Sequence, residues 1–411
     1  MSYTSPHKVS FEDTEAAFAY KSDSELRKAR FLFGAMGSTA ILKIGLALTP
    51  WAIKFKIPFT HAVLRNTLFK QFVGGETLEQ TASVAGKLNA YKVDVILDYG
   101  VEGGSSESSF EASTHEFIKV IDYAATVSNI PFMSIKVTGI ARFGLLEKIN
   151  TAMHDMNADT LMKNYTASLQ TLTEEEQEEW RKVVQRFHRI CDAAERKNVG
   201  VLVDAEESWI QAPVDAITIL MMEGFNKNKC VVYNTIQLYR HDRLDFLKKS
   251  HVAATERNFI MGAKLVRGAY MEKERARAAT MGYPSPIQPD KESTDRDYDL
   301  AVGYCLQHLD RVGLIVASHN EHSNALATSS MLEKGYPSHH PHMHFSQLYG
   351  MSDNITFNLA AHGFGVSKYL PFGPISDVVP YLMRRAQENS SVAGQTGREL
   401  LLIEKELKRR K

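Results

Sequence analysis

Eight short runs rich in Val, Ile, Phe and Tyr punctuate the chain from residue 93 onward, and none shows strict apolar–polar alternation. They are VDVILDYG from Val93, PFMSIKVTG from Pro131, VGVLVDAE from Val199 and KCVVYNTIQ from Lys229, then FIMGAKLVRG from Phe259, GLIVASHN from Gly313, HMHFSQLYG from His342 and FGVSKYLPFG from Phe364. A strand without a polar face is buried on both sides, as in a parallel sheet. Helical stretches lie between these runs. Thr173 opens T-E-E-E, a capping-box pattern, ahead of an amphipathic run to Lys197, and Ser293 with Thr294 precedes another that reaches about Arg311. Strands alternating with helices predict an α/β fold of right-handed βαβ units, closed into a (β/α)8 TIM-type barrel. An open, doubly wound sheet fits less well, because no GxGxxG loop follows any of the strands.

The first ninety residues read as helices, over Leu26–Lys43, Thr60–Phe72 and, after a Gly-Gly break, Thr77–Ala90. The expected organisation is an N-terminal helical segment over 1–90 and a barrel over 91–411. The length of 411 residues accommodates a barrel of roughly 250 residues plus an added segment. An apolar stretch from Phe31 to Phe59 is interrupted by Lys43, Lys54, Lys56, Pro50 and Pro58, which makes it a poor spanning helix. It suits either core packing or contact along a membrane surface. Glu12, Asp13 and Glu15 argue against a secretory signal and against an acid-poor transit peptide. The expected location is cytoplasmic, with peripheral contact at the inner face of a membrane as the alternative. Lys plus Arg equals Asp plus Glu at 48 each, and this balance argues against a sequence-independent nucleic-acid partner. Cys191, Cys230 and Cys305 stand far apart with no CxxC, which fits buried thiols better than a disulfide framework or thiolate metal site.

In such a barrel the chemistry belongs at the C-terminal ends of the strands. Lys136 ends the second strand, the Asp204-Ala205-Glu206-Glu207 run the third and Gln237 the fourth. Lys264, Arg267 and Tyr270 lie along and beyond the fifth, His319 and Asn320 end the sixth, Gln347 the seventh, and Tyr369 belongs to the eighth. Each also has an ordinary structural reading. Lys136 can be a solvated rim residue, Asp204 can cap the next helix, and His319-Asn320 can form a helix-entry turn. Arg384 and Arg385 can occupy a solvated helix face with Glu388 as a pairing partner. His339, His340, His342 and His344 tempt a metal reading, but they precede the seventh strand, at the barrel end away from the expected site, and no metal is expected.

Several of these segments resemble the proline dehydrogenase family. GAKLVRGAYMEKERARA from Gly262, ASHNE from Ala317 and FSQLYGM from Phe345 match closely, and KYLPFGPISDVVPYLMRRAQENSSV from Lys368 is the strongest match. SIKVTG at Ser134, VDAEE at Val203 and NTIQLY at Asn234 are weaker. The resemblance implies FAD-dependent oxidation of L-proline to Δ1-pyrroline-5-carboxylate, with a quinone as electron acceptor. It implies Lys136, Asp204, Tyr369, Arg384 and Arg385 as catalytic, with Tyr270, Leu348 and Tyr381 also lining the substrate pocket. It implies FAD contacts from Asp204, Ala205, Val232, Gln237, Lys264, Val266, Gly268, Ala269, Lys291, Thr294, His319, Asn320 and Glu388. Lys264 departs from the pattern, since many bacterial members carry arginine there. The carried-over roles are chemically coherent: two guanidinium groups match a carboxylate, Lys136 and Asp204 form a charged pair suited to an amine, and a redox cofactor must accept the hydride. Rival readings are a Schiff-base enzyme built on Lys136, a helical scaffold without catalysis, and oxidation of 4-hydroxyproline within the same family. A tyrosine at 369 favours proline over the last, because hydroxyproline-type members carry a smaller residue there.

Overall fold

The computed structural model describes residues 9–37, 55, 63–100, 104–155, 160–391 and 395–411. All eight expected strands form: β1 (Asp94–Tyr99), β2 (Phe132–Ile135), β3 (Gly200–Val203), β4 (Val232–Gln237), β5 (Met261–Val266), β6 (Val312–Ala317), β7 (Met343–Leu348) and β8 (Val366–Phe372). They follow one another in sequence order around a closed barrel, β8 pairing back onto β1 in parallel. The helices are α1 (Thr14–Phe18), α2 (Asp23–Met36), α3 (Leu78–Asn89), α4 (Glu107–Ala124), α5 (Phe143–Asp155), α6 (Leu161–Leu169), α7 (Glu174–Lys197) and α8 (Ser208–Phe225), then α9 (Arg243–Glu256), α10 (Met271–Met281), α11 (Lys291–Gln307), α12 (Glu321–Glu333), α13 (Asp353–Ala361), α14 (Ile375–Ser391) and α15 (Gln395–Arg409). Arg65–Phe69 forms a π-helical turn that runs into Lys70–Phe72.

Local chemistry sets the helix ends. Thr173 accepts from the N–H of Glu176 while the Glu176 carboxylate reaches back to the Thr173 N–H, so the expected capping box opens α7. Asn198 closes α7 in the left-handed region, φ 56°. The start of α11 differs from expectation. Asp290, not Ser293 or Thr294, is the N-cap, accepting from the Ser293 N–H at 2.7 Å. Asp is an equally good cap and lies three residues earlier, so Ser293 becomes part of the first turn. Asp204 caps nothing, since Glu207 holds the N-cap position of α8.

The chain forms two compact units, one of residues Met1–Val101, His319–His339 and Phe345–Lys411, the other of Glu102–Ser318 and His340–His344. In the first unit, α1, α2 and α15 enclose Phe18, Leu26, Phe33 and Phe72 with Ile375, Tyr381, Leu402 and Ile403. In the second, the N-terminal ends of the strands carry an aromatic layer. Phe132 of β2 meets the Tyr233 ring edge-on at 5.7 Å and that of His344 at 5.1 Å. Gly200 of β3 makes room for it, because a Cβ there would lie 2.5 Å from the Phe132 ring. His342 Nδ1 contacts the Leu309 carbonyl at 2.5 Å, which ties the histidine-rich turn to the end of α11.

Candidate active site

Strand parity decides which side chains face the barrel interior, because successive residues point to opposite faces. On β4, the Asn234 amide reaches Asp215 of α8 at 2.8 Å, so Asn234 faces the helix layer and Tyr233, Thr235 and Gln237 face inward. On β8, Lys368 pairs with Asp353 of α13 at 2.9 Å, so Tyr369 faces inward. Leu348 of β7 is the register partner of Tyr369. The same logic relocates two residues. Val232 shares the outward parity of Asn234, is fully buried, and begins β4, about 16 Å along the strand from Gln237 at 3.3 Å per residue. It therefore does not reach the strand ends where a cofactor would sit. Gln347 also faces outward, accepting from Thr356 Oγ1 of α13 at 2.8 Å.

In the second unit the strand ends and the start of α11 supply three carboxyl groups, one buried amide and several cations. Asp204 donates its N–H to the Ile135 carbonyl at 2.8 Å, which fixes its carboxylate beyond β3, where it takes the Lys264 ammonium in an ion pair. Lys264 thus pairs with Asp204 across 60 positions of the chain. Gln237 donates to the Glu206 carbonyl at 2.9 Å, and its own Oε1 is buried without a hydrogen-bond partner among the described residues. Thr235, opposite Lys264 in register, holds a buried hydroxyl in the same condition. Glu206 accepts from Thr138 Oγ1 at 2.7 Å. Burial pushes its carboxyl up to about 7, against the Thr138 hydrogen bond and the positive charge of Lys136. Lys136 itself is half-buried just beyond β2.

Beyond β5, Arg267 donates to Asp295 at 2.7 Å and to Ser318 Oγ at 2.8 Å, and its guanidinium lies 4.4 Å from the Tyr298 ring centroid. Lys291 completes the cluster on Asp295. Burial opposes ionisation of Asp295, but Lys291 and Arg267 hold its carboxyl below the ordinary value. Thr294 is buried and bonds back to the Asp290 carbonyl at 3.2 Å. Gly268 follows with φ 139°, and a Cβ there would lie 2.4 Å from the Tyr239 ring, so only glycine fits. Gly268 and Ala269 are exposed, Val266, Arg267 and Tyr270 half-buried, and Ala205 buried.

In the first unit, Tyr381, Arg384 and Arg385 share one face of α14 at helical spacing. Arg385 is only 5% exposed and stacks 5.1 Å from the Tyr381 ring centroid, which removes it from the solvated-face reading, while Arg384 is half-buried. Glu388 lies on the same helix, but its side chain is outside the described residues. His319 Nδ1 is 2.9 Å from Ser352 Oγ. Asn320 is the N-cap of α12, accepting from the Ser323 N–H at 3.2 Å, so the helix-entry turn is real and holds His319 beside it. Thr235 on β4 and Asp295 on α11 are groups that the sequence reading did not single out, and it named Glu206 only within the run that ends the third strand. The VDAEE run was the only available signal for Glu206; Thr235 and Asp295 become visible only through register and pairing.

A family model described as proline dehydrogenase matches residues 81–398. The chain is 36% identical over 386 residues to the carbapenem antibiotics biosynthesis protein CarD of Pectobacterium carotovorum subsp. carotovorum, covering 93% of this chain and 95% of that one. It is 32% identical over 377 residues to the mitochondrial proline dehydrogenase 1 of Dictyostelium discoideum, covering 84% of this chain and 65% of the relative. It is 31% identical over 432 residues to the hydroxyproline dehydrogenase of Xenopus laevis, covering 98% and 90%. The fold is similar to that of proline utilization A from Bdellovibrio bacteriovorus inactivated by N-propargylglycine, with a TM-score of 0.69 at 19% identity, over 96% of this chain and 38% of that one. With the barrel in place and the family model spanning most of it, the chain belongs to the proline dehydrogenase family of oxidoreductases.

Proposed function

We propose that the protein oxidises L-proline to Δ1-pyrroline-5-carboxylate with FAD as cofactor, and that a membrane quinone takes the electrons. The observation that carries the substrate choice is Tyr369 on the interior face of β8 with Leu348 beside it, a wall that fits an unsubstituted ring. Relatives of both substrate names exist, so a 4-hydroxyproline activity is the second reading.

The residues present suit a flavin. A buried amide oxygen on Gln237 and a buried hydroxyl on Thr235 have open hydrogen-bonding capacity, which matches a polar ring edge. Lys264, Arg267 and Lys291 offer cations for a pyrophosphate, and Gly268 with Ala269 exposes backbone where a side chain would intrude. These, with Thr294, His319 and Asn320, are the residues that would hold FAD. When bound, FAD supplies the two-electron acceptor that no side chain can.

The chain's own part is grip, orientation and charge. Arg384 and Arg385 hold the substrate carboxylate, while Tyr369, Tyr381, Tyr270 and Leu348 line its ring. Proline arrives as an ammonium, and its ring carbon yields a hydride only after nitrogen loses a proton. Lys136 and Asp204 are assigned to that step, with Asp204 ion-paired to Lys264. Most of the rate then comes from fixing one carbon against the acceptor. No helix among the described residues is long and apolar enough to cross a membrane. Phe31 and Phe55 are exposed at 75% and 59% and support surface contact instead.

The test is anaerobic addition of each substrate to the purified protein, followed in the flavin band, for wild type and Tyr369→Ser. L-proline should bleach wild type faster than 4-hydroxyproline does. Loss of the aromatic wall should cost proline about 1–3 kcal/mol and hydroxyproline less. Denatured protein that releases no FAD would sink the cofactor reading; an equal fall for both substrates would sink the role of Tyr369.

A further inference from the structure

His319 and Asn320 are held from behind by a helix that no part of the reaction uses. The Glu399 carboxylate of α15 accepts the backbone N–H of Ser352. Ser352 sits at φ 51°, a left-handed conformation that is strained for a residue other than glycine. That conformation turns its hydroxyl onto His319 Nδ1 at 2.9 Å. One residue along, Arg398 donates to Glu321 at 2.9 Å, and Glu321 also accepts from Asn354 at 2.8 Å. Glu321 is the first residue of α12, directly after Asn320. Two neighbouring residues of α15 therefore tie both sides of the His319-Asn320 turn. Glu399 is 4% exposed and fully enclosed, so its contact with Ser352 is not a surface accident.

We propose that the C-terminal helix α15 is a positioning element of the cofactor site, with Glu399 acting through Ser352 to fix the ring direction and tautomer of His319. The inference rests on the reading of His319 as a cofactor-contacting residue. With Ser352 Oγ–H donating to Nδ1, His319 keeps its proton on Nε2 and presents that N–H as a donor. Without Glu399 the Ser352 backbone loses the acceptor that offsets its strained conformation, and its hydroxyl leaves the ring.

The experiment compares wild type, Glu399→Ala, Glu399→Gln and Ser352→Ala, first by imidazole nitrogen NMR of His319 in protein without flavin. The second readout is the dissociation constant for added FAD. Glu399→Ala and Ser352→Ala should both change the His319 tautomer signal and weaken FAD about tenfold. Glu399→Gln keeps a carbonyl acceptor and should restore both readouts to within about twofold of wild type. If Glu399→Ala fails to fold, Ser352→Ala, which leaves the backbone bond intact, carries the test. An unchanged His319 signal in the folded alanine variants overturns the proposal, as does a glutamine variant no better than alanine. If wild type binds no FAD, the functional reading fails, and the NMR comparison still decides whether α15 sets His319.

Discussion

The second unit buries Lys264 of β5 against Asp204, and the first buries Lys368 of β8 against Asp353. Both are strand lysines paired with an aspartate, and sequence inspection cannot tell them apart. Their surroundings differ. Lys368 faces the helix layer, where Asp353 also receives Lys21 and the Tyr20 hydroxyl, each at 2.8 Å. The Asp353 and Lys368 side chains are 2% and 0% exposed. Burial alone would raise the Asp353 carboxyl, but two cations hold it well below the usual carboxylate range. The Asp204 and Lys264 side chains are 14% and 6% exposed at the strand ends. One pair is a closed knot that joins α1–α2 to β8 and α13; the other keeps an accessible edge. Barrel parity thus sets the same chemistry in the closed helix layer on one face and at the strand ends, where the proposed site lies, on the other.

The largest effect that could break this contrast is at Asp353. Asp353→Ala strands two buried ammonium groups and should cost roughly 3–5 kcal/mol of stability. Asp204→Ala removes an ion pair that water can approach, and should cost the lower part of roughly 1–3 kcal/mol while, on the proposed function, abolishing most proline turnover. Urea midpoints of the two variants measure the difference, and equal losses would erase the distinction drawn here.

Next comes Glu206, the acid two residues beyond Asp204. Glu206 has a folded pKa of about 7 against an ordinary 4.5. A raised folded pKa means that the protonated form is favoured on folding, so its contribution is complete below pH 4.5 and is lost as pH rises through 7. Glu206→Gln should therefore match wild type near pH 4.5 and exceed it by on the order of 3 kcal/mol at pH 8. Urea denaturation at the two pH values gives the answer, and a pH-independent difference would show that burial does not dominate at this carboxyl.

The smallest effect sharpens the functional side. If Arg385 holds the substrate carboxylate as proposed, Arg385→Met removes a charge-assisted bond worth roughly 1.5–3 kcal/mol. Proline KM should rise about ten- to a hundredfold with FAD still bound. Steady-state kinetics at saturating acceptor test this, and an unchanged KM would return Arg385 to a packing role against Tyr381.

All eight strands were legible because each is a short run rich in Val, Ile, Phe or Tyr without strict alternation, and the capping box at Thr173 was legible because its partners lie three residues apart. The same lack of alternation that marked the strands concealed which residues face inward. That is why Gln347 stood with the strand-end groups, and Val232 among the FAD contacts the resemblance implies, until Asn234 and Thr356 revealed the parity. The Asp204–Lys264 pair spans 60 positions, beyond any local pattern. The strand-end reading and the family resemblance each named both residues, but neither paired them with each other. The Asp290 cap was missed for a simpler reason, since two good capping residues follow it closely.

The aromatic layer of Phe132, Tyr233 and His344 has a consequence for traffic. Rings meeting edge-on at the start of the strands, seated where Gly200 gives way, turn the lower barrel into a stopper. That plug leaves the opposite rim, where the strands end, as the side from which the proposed site can be reached, so whatever enters there must also leave there.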